Sequence, residues 1–520
     1  MLRRVVHLVI SVALVGSLVG VPAPALAASC DAGPLPGERQ LSLEQQALLA
    51  TARELPLETR VGQLLMPGFV GTEPDPGLLD RVSRGRLGGI FLLGRNVRSE
   101  EQVKRLTGSL NDAAAGATGG VRPFLATDFE GGIVNALRSV TGNTASAISL
   151  AARGAPGVEA QGSADAETLR WLGFNTNLAP VADVLSAPSQ VIGERAFSSN
   201  PITAAALSRA YLRGLRQGGV LGVMKHFPGH GATEGDSHLM LPVVERTLAQ
   251  LEASDLVPYR QAIASGELDA VMLGHLHVPA LDPVLPSSLS PATVLGLLRD
   301  RLRFDGLVVT DELKMRAISG QYGVEVAALL AVKAGVDIIL ADYTGIEQQA
   351  VFAAIMRACQ NGELSTGRID QTVSRILRLK LAYSLAGPDI SARYSAHLAG
   401  LSAAPPATAV TPPEAAPDPA HETGEIPTAP EMPAMTEGEG ATTGEEGEIA
   451  AMPEVAPGAM PSATPEPTAT PFPTDVSNQP TPTPVSVQPT PTRLPPTATA
   501  TNTTSPTPTR PPTVTPTRAP

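Results

Sequence analysis

Seven short apolar runs, each ending in polar or glycine-bearing residues, recur through this 520-residue chain and constrain its fold class. They are Gly88–Leu93, Pro123–Thr127, Thr176–Val181, Val220–Met224, Ala270–Leu273, Leu307–Thr310 and Val336–Leu340. Runs this short, without strict alternation, read as strands buried on both faces. Helix-like stretches lie between them. Ala204 to Gln217 has apolar residues at three- and four-residue steps, and Val324 to Lys333 is rich in Ala, Val and Leu. Asp370 to Ser384 ends the series, with Ile369, Val373, Ile376, Leu377, Leu379 and Leu381 as its inward face. Strands alternating with helices imply a parallel sheet with crossover helices. Seven runs with polar exits point to an α/β fold of the (β/α)8 TIM-like barrel type, one domain over residues 40–390. The eighth strand is not identified by any run.

The flanks differ in character. Arg3 and Arg4, an apolar stretch from Val5 to Val21 and Ala25-Leu26-Ala27 form a secretory signal over residues 1–27. A secreted or extracytoplasmic, envelope-associated location follows as an expectation. The alternative of a retained membrane anchor needs about 20 apolar residues, slightly more than are present. Lipid attachment at Cys30 is disfavoured because Ala27 stands where a Leu or Val is usual. From about Ala403 to residue 520 Pro, Thr, Ala and Glu dominate, acidic first and then Pro/Thr-rich. Such a tail cannot offset the entropy of ordering itself, so a disordered stalk or wall-associating spacer is expected. Two cysteines, Cys30 and Cys359, exclude a disulfide framework. A net charge of −12 with no basic stripe argues against a nucleic-acid partner.

The chemistry-bearing residues lie at the run exits: Arg95 and Asn96; Asp128 and Glu130; Asp183; Lys225 and His226; His275 and His277; Asp311; and Asp342. In a barrel all project from the face that holds the active site. The densest stretch is Val223-Met224-Lys225-His226-Phe227-Pro228-Gly229-His230-Gly231, followed by Asp236-Ser237-His238. Three histidines, a lysine and an aspartate in fourteen positions exceed what a solvated turn requires. Asp311 directly follows Leu307–Thr310, so a rigid strand end would hold its carboxylate as a nucleophile; the plainer reading is a helix N-cap. Asp236 can fix the tautomer of His238 and raise its basicity, letting that ring give a proton to a leaving oxygen and take one from water. The plainer reading there is a local Asp–His contact on a surface loop. Asp183 and Asp342 read as caps of the helices that follow them.

Together these segments resemble glycoside hydrolase family 3, and within it the single-domain β-N-acetylglucosaminidases. The matching stretch runs from Leu57 to about Ser384. It includes Glu58–Met66, Gly88-Gly89-Ile90 with Gly94-Arg95-Asn96, Asp128-Phe129-Glu130-Gly131-Gly132, Asn177–Val184, Ile192–Phe197, Lys225–His238 and Thr310–Met315. The resemblance implies Asp311 as nucleophile and His238 as acid/base, with Asp236 orienting His238. It further implies Asp128, Arg195, Lys225 and His226 as ligands of the sugar, and His230 as a residue that shapes the loop. The implied reaction is retaining exo-hydrolysis of terminal β-linked GlcNAc from peptidoglycan fragments or chitooligosaccharides through a glycosyl-enzyme. No metal and no organic cofactor is implied, and a monomer is expected. The family's β-glucosidases draw their acid from a second domain, which is not expected here. One departure stands out: where the family shows Arg-Val-Gln-Arg, this chain has Ile133-Val134-Asn135-Ala136, with Arg138 the nearest arginine.

Two other readings compete. A metal-dependent, amidohydrolase-like barrel would use His226, His230, His275, His277 and Asp311 as ligands, although its His-x-His pair normally ends the first strand. A catalytically impaired barrel acting as a cell-wall or sugar-binding protein fits the missing arginines. The joint presence of Asp311, Asp236 and His238 opposes it.

Overall fold

The structure, a computed structural model, describes residues 41–403 except 117–119, 234 and 343–344. The expected signal segment, Cys30 and the Pro/Thr-rich tail lie outside the described residues. Eight short parallel strands alternate with helices. They are β1 (Leu65–Pro67), β2 (Gly89–Phe91), β3 (Phe124–Thr127), β4 (Thr176–Asn177), β5 (Leu221–Phe227), β6 (Ala270–Leu273), β7 (Leu307–Thr310) and β8 (Ile339–Ala341). Strands β2 to β7 form one parallel sheet in chain order, and β1 pairs with β8 in register Leu65↔Ile339. A parallel bridge from Val309 to Ile338 joins β7 to β8. The backbone N–H of Gly88, just before β2, donates to the carbonyl of Leu65 at 2.9 Å. The fold is therefore α/β with a curled parallel sheet. β1 is the strand that no apolar run identifies, because its three residues follow closely on the helical turn Leu57–Gly62.

Strand alternation gives the sheet two apolar faces. Met66, Phe91, Phe124, Ala126, Leu221, Val223, Ala270, Met272, Leu307, Val309 and Leu340 form one buried cluster drawn from almost every strand. Ile376 and Leu379 of the helix Thr366–Ala382 join it. The intervening residues Ile90, Leu125, Met224, Val271, Val308 and Ile339 pack with the helices in a second, larger cluster. Local signals start and stop those helices. Asn200 caps Pro201–Gln217 with Pro201 in the first turn, and Ser42 and Thr247 form capping boxes with Gln45 and Gln250. Val324–Ala334 stops at Gly335, whose φ of 108° suits a residue without a side chain.

A helix over Pro388–Ala403 carries the fold past residue 390 and packs on Leu43–Arg53. Its His397 bonds Glu54 through Nε2 at 2.7 Å. Only Ile390 of this helix is buried, so it lacks the apolar periodicity that would have announced it. Among the described residues no helix is long and apolar enough to cross a membrane.

Lys380 is completely buried, its Nζ bonded to Gln63 Oε1 at 2.6 Å and 4.9 Å from the Phe124 ring centroid. Burial pushes its ammonium well below the usual lysine range. Between that lowered value and the ordinary one, the unfolded chain binds a proton that the folded chain does not, so stability rises with pH across this window. Denaturant titrations of the wild type and Lys380→Met at pH 7.5 and 9.5 check this. The wild type is expected to gain on the variant at the higher pH, by up to about 1.4 kcal/mol per pH unit; a pH-independent difference would refute it.

Candidate active site

The site is built on a fault in β5. Pairing with β6 advances from Met224↔Val271 to Phe227↔Leu273, so β5 holds one residue more than its partner. Such a bulge breaks the in–out alternation, and Lys225 and His226, adjacent in sequence, are both buried. The Lys225 ammonium lies between Asp128 Oδ1 at 2.7 Å and Glu130 Oε1 at 2.6 Å. Asp128 follows β3 directly. Glu130 sits on a small antiparallel hairpin, Phe129–Gly131 with Val134–Asn135. Gly131 makes that hairpin possible: its φ is 87°, and a Cβ there would collide with the carbonyl of Ala145.

Arg195, from the turn Gly193–Arg195, donates to both oxygens of Glu130, through Nε at 2.7 Å and Nη2 at 2.8 Å. Burial alone would raise the Glu130 carboxyl, but Arg195 and Lys225 hold it at about 2. Burial also opposes the Lys225 charge, and Asp128 and Glu130 outweigh it, so the ammonium is raised.

His226 is fixed by Asp183, whose Oδ2 lies 2.7 Å from Nδ1. The same carboxylate accepts the backbone N–H of His230 at 2.7 Å. With the Nδ1 proton directed at Asp183, Nε2 of His226 faces Arg195 Nη2 at 3.5 Å. Asp183 is therefore no helix cap: it is a buried anchor for two histidines, and no helix starts in the residues just after it. Asp342 pairs with Arg95, and residues 343–344 beyond it lie outside the described residues.

Asp311 follows β7, with its N–H donating to Leu273 O at 3.0 Å and its Oδ1 accepting the N–H of Glu312 at 2.8 Å. A capping carboxylate takes an N–H two or three residues on, so this contact is not a cap. Burial would raise its carboxyl, yet interactions with His226, His275 and Lys225 bring it below the usual range, so it is ionised at neutral pH. His275 has both ring nitrogens occupied, Nδ1 by Ser288 Oγ at 2.7 Å and Nε2 by Glu312 O at 3.0 Å. The amidohydrolase-like reading loses that ligand. Among the described residues no three His, Cys, Asp or Glu side chains are placed to share a metal ion.

Asp236 and His238 stand on the loop beyond β5. Asp236 Oδ1 accepts from both Nδ1 and the backbone N–H of His238, each at 2.8 Å, and the His238 side chain is 64% exposed. Burial would raise Asp236, but these bonds from His238 bring it down. Asp128, Lys225, Arg195 and His226 thus form one bonded network, while the Asp236–His238 pair bonds within itself. The network also contains Glu130 and Asp183, which stand at run exits but to which the sequence assigns no part in the chemistry, Asp183 reading there as a helix cap. At the departure from the family pattern, Ile133 is exposed, its N–H donating to Glu194 Oε1 at 3.0 Å. The Arg138 guanidinium is bonded to the Gly132 carbonyl on the same loop.

Residues 56–379 match the Glycosyl hydrolase family 3 N terminal domain. Beta-hexosaminidase LpqI of Mycobacterium tuberculosis is 41% identical over 309 residues, covering 58% of this chain and 77% of that protein. Beta-hexosaminidase A of Pseudoalteromonas piscicida is 32% identical, with 64% and 62% covered. Among solved structures, a glycoside hydrolase family 3 beta-N-acetylglucosaminidase from Paenibacillus sp. superposes with a TM-score of 0.60 at 38% identity, over 64% of this chain and 63% of that one. A family 3 glycosyl hydrolase from Mycobacterium smegmatis superposes with a TM-score of 0.58 at 37% identity, over 65% of this chain and 99% of that one. The chain thus spans less than two thirds of the Pseudoalteromonas and Paenibacillus proteins.

Glu130 holds two buried cations, so Glu130→Leu is expected to destabilise the protein by about 3–5 kcal/mol, as measured by denaturant unfolding. Its contribution should be complete above the ordinary carboxylate range and fade as pH falls toward about 2. A loss below about 1 kcal/mol would show that the network carries little of the fold.

Proposed function

Because the chain belongs to glycosyl hydrolase family 3 and is a glycoside hydrolase, we propose that it is a retaining exo-β-N-acetylglucosaminidase. The observation that carries this reading is Asp311, ionised and partly buried at the end of β7 within the field of His226 and Lys225. Asp311 attacks the anomeric carbon while His238, protonated, gives its Nε2 proton to the leaving oxygen, forming a covalent glycosyl-enzyme. His238 then takes a proton from water, the water oxygen displaces Asp311, and the sugar leaves with its β configuration retained. Asp236 holds the Nδ1 proton of His238 throughout and stabilises the imidazolium.

Asp128, Lys225, Arg195 and His226 bind the sugar's hydroxyls and acetamido group, locked in place by Glu130 and Asp183. Charge-assisted bonds to such groups are worth about 1.5–3 kcal/mol each. The eight strands are proposed to close a (β/α)8 barrel, supported by the Val309–Ile338 bridge and the Gly88–Leu65 bond. The relatives' names support a GlcNAc-containing substrate, and the signal-like residues 1–27 support a substrate outside the membrane, peptidoglycan fragments or chitooligosaccharides. The Pro/Thr-rich tail would associate the enzyme with the wall. The exposed Ile133, with Arg138 held on Gly132, favours one second reading, a barrel that binds sugar without cleaving it.

Release of 4-nitrophenol from its β-N-acetylglucosaminide by the full chain separates the two. Turnover is expected, falling on the order of 10⁴-fold or more in Asp311→Asn. No turnover of this substrate, the corresponding glucoside or GlcNAc-MurNAc would favour the binding protein.

A further inference from the structure

We propose that Ser237 and His230 form a latch that sets the position of the His238 imidazole, making both of them positioning residues for the acid/base step. The inference rests on the glycosidase reading above. Ser237 lies between the two members of the proton-transfer pair and faces the other way: it is 3% exposed, whereas the side chains of Asp236 and His238 are 36% and 64% exposed. Its hydroxyl lies 3.3 Å from His230 Nε2. Its carbonyl accepts the N–H of Ala317 at 3.3 Å. Ala317 belongs to the helical turn Arg316–Ser319 just beyond Asp311. One buried residue therefore ties the proton-transfer loop to the exit of β5 on one side and to the segment after the nucleophile on the other.

The latch has a fixed polarity. Thr233 Oγ1 lies 3.0 Å from the His230 carbonyl and 2.8 Å from His230 Nδ1. A hydroxyl has one proton; donated to the carbonyl, it leaves Thr233 Oγ1 to accept the proton on Nδ1. Nε2 of His230 is then the acceptor for the Ser237 hydroxyl. The ring cannot drift, because its own backbone N–H is held by Asp183 and the side chain is buried. Burial and the neighbouring His226 lower the His230 imidazole, which keeps it neutral and able to accept. Among the described residues the Asp236 side chain bonds only His238, and the other bonds to Asp236, from the N–H groups of Leu239 and Met240 to its carbonyl, stay within the same loop, so Ser237 is the anchor of the pair to the body of the fold. Misplacing a reacting group by about 1 Å can cost on the order of 10²-fold in rate.

The test compares kcat/KM of the full chain, Ser237→Ala and Ser237→Thr on two β-N-acetylglucosaminides. The 2,4-dinitrophenyl glycoside leaves without protonation; chitobiose needs a proton from His238. Ser237→Ala is expected to lose about 10–100-fold on chitobiose with the dinitrophenyl substrate little changed, and Ser237→Thr, which keeps the hydroxyl, to recover most of the loss. The ratio of the two substrates is read in the same sample, so a partly unfolded variant does not obscure it. A Ser237→Ala variant that loses both substrates equally, or neither, overturns the latch alone. A wild type that turns over neither substrate overturns the glycosidase reading and the latch with it.

Discussion

Lys225 is buried between Asp128 and Glu130, and the geometry of the site follows from that contact. An ammonium removed from water costs several kcal/mol unless it is paired. Glu130, equally buried, needs more than one cation and takes Arg195 as the second. The four partners come from three strand exits: Asp128 and Glu130 after β3, Arg195 from the turn after β4, Lys225 from β5. Satisfying the charges therefore fixes these exits relative to one another within hydrogen-bond tolerance. The extra residue in β5 lets two successive side chains join one network.

The same charges prepare the chemistry. Interactions with His226, His275 and Lys225 outweigh the burial of Asp311, so the carboxylate stays ionised. Asp183 determines which nitrogen of His226 carries the proton, in the way Asp236 does for His238. Two Asp–His pairs thus stand at different depths, one inside the network and one on an exposed loop. The buried pair is rigid. In the proposed reaction the exposed pair belongs to the segment past which the sugar enters, and its hold on the body of the fold is correspondingly slender.

Much of this was legible from residues alone. Asp311 stood out because a carboxylate directly after four apolar residues has a rigid base, and the Lys225–His238 stretch because its polar density exceeds that of a turn. Asp183 misled because an aspartate at a strand end usually caps a helix; the clue was that residues 184–192 have no helical pattern. Glu130 stood at a run exit, but its role did not show, since pairing with both Arg195 and Lys225 depends on three segments distant in sequence meeting in space. β1 hid because Leu65–Pro67 is too short to show a period, and the helix Pro388–Ala403 because Ile390 is its only buried residue.

Identifying the residue that becomes covalently joined to sugar tests the central claim most directly. The enzyme would be incubated with a fluorinated N-acetylglucosaminide that forms the glycosyl-enzyme faster than it is hydrolysed, then digested and analysed by mass spectrometry. The expected result is one added N-acetylglucosamine-type mass on the peptide carrying Asp311, at that carboxylate. Label on another carboxylate, or continued turnover of substrate with no label trapped, would contradict it.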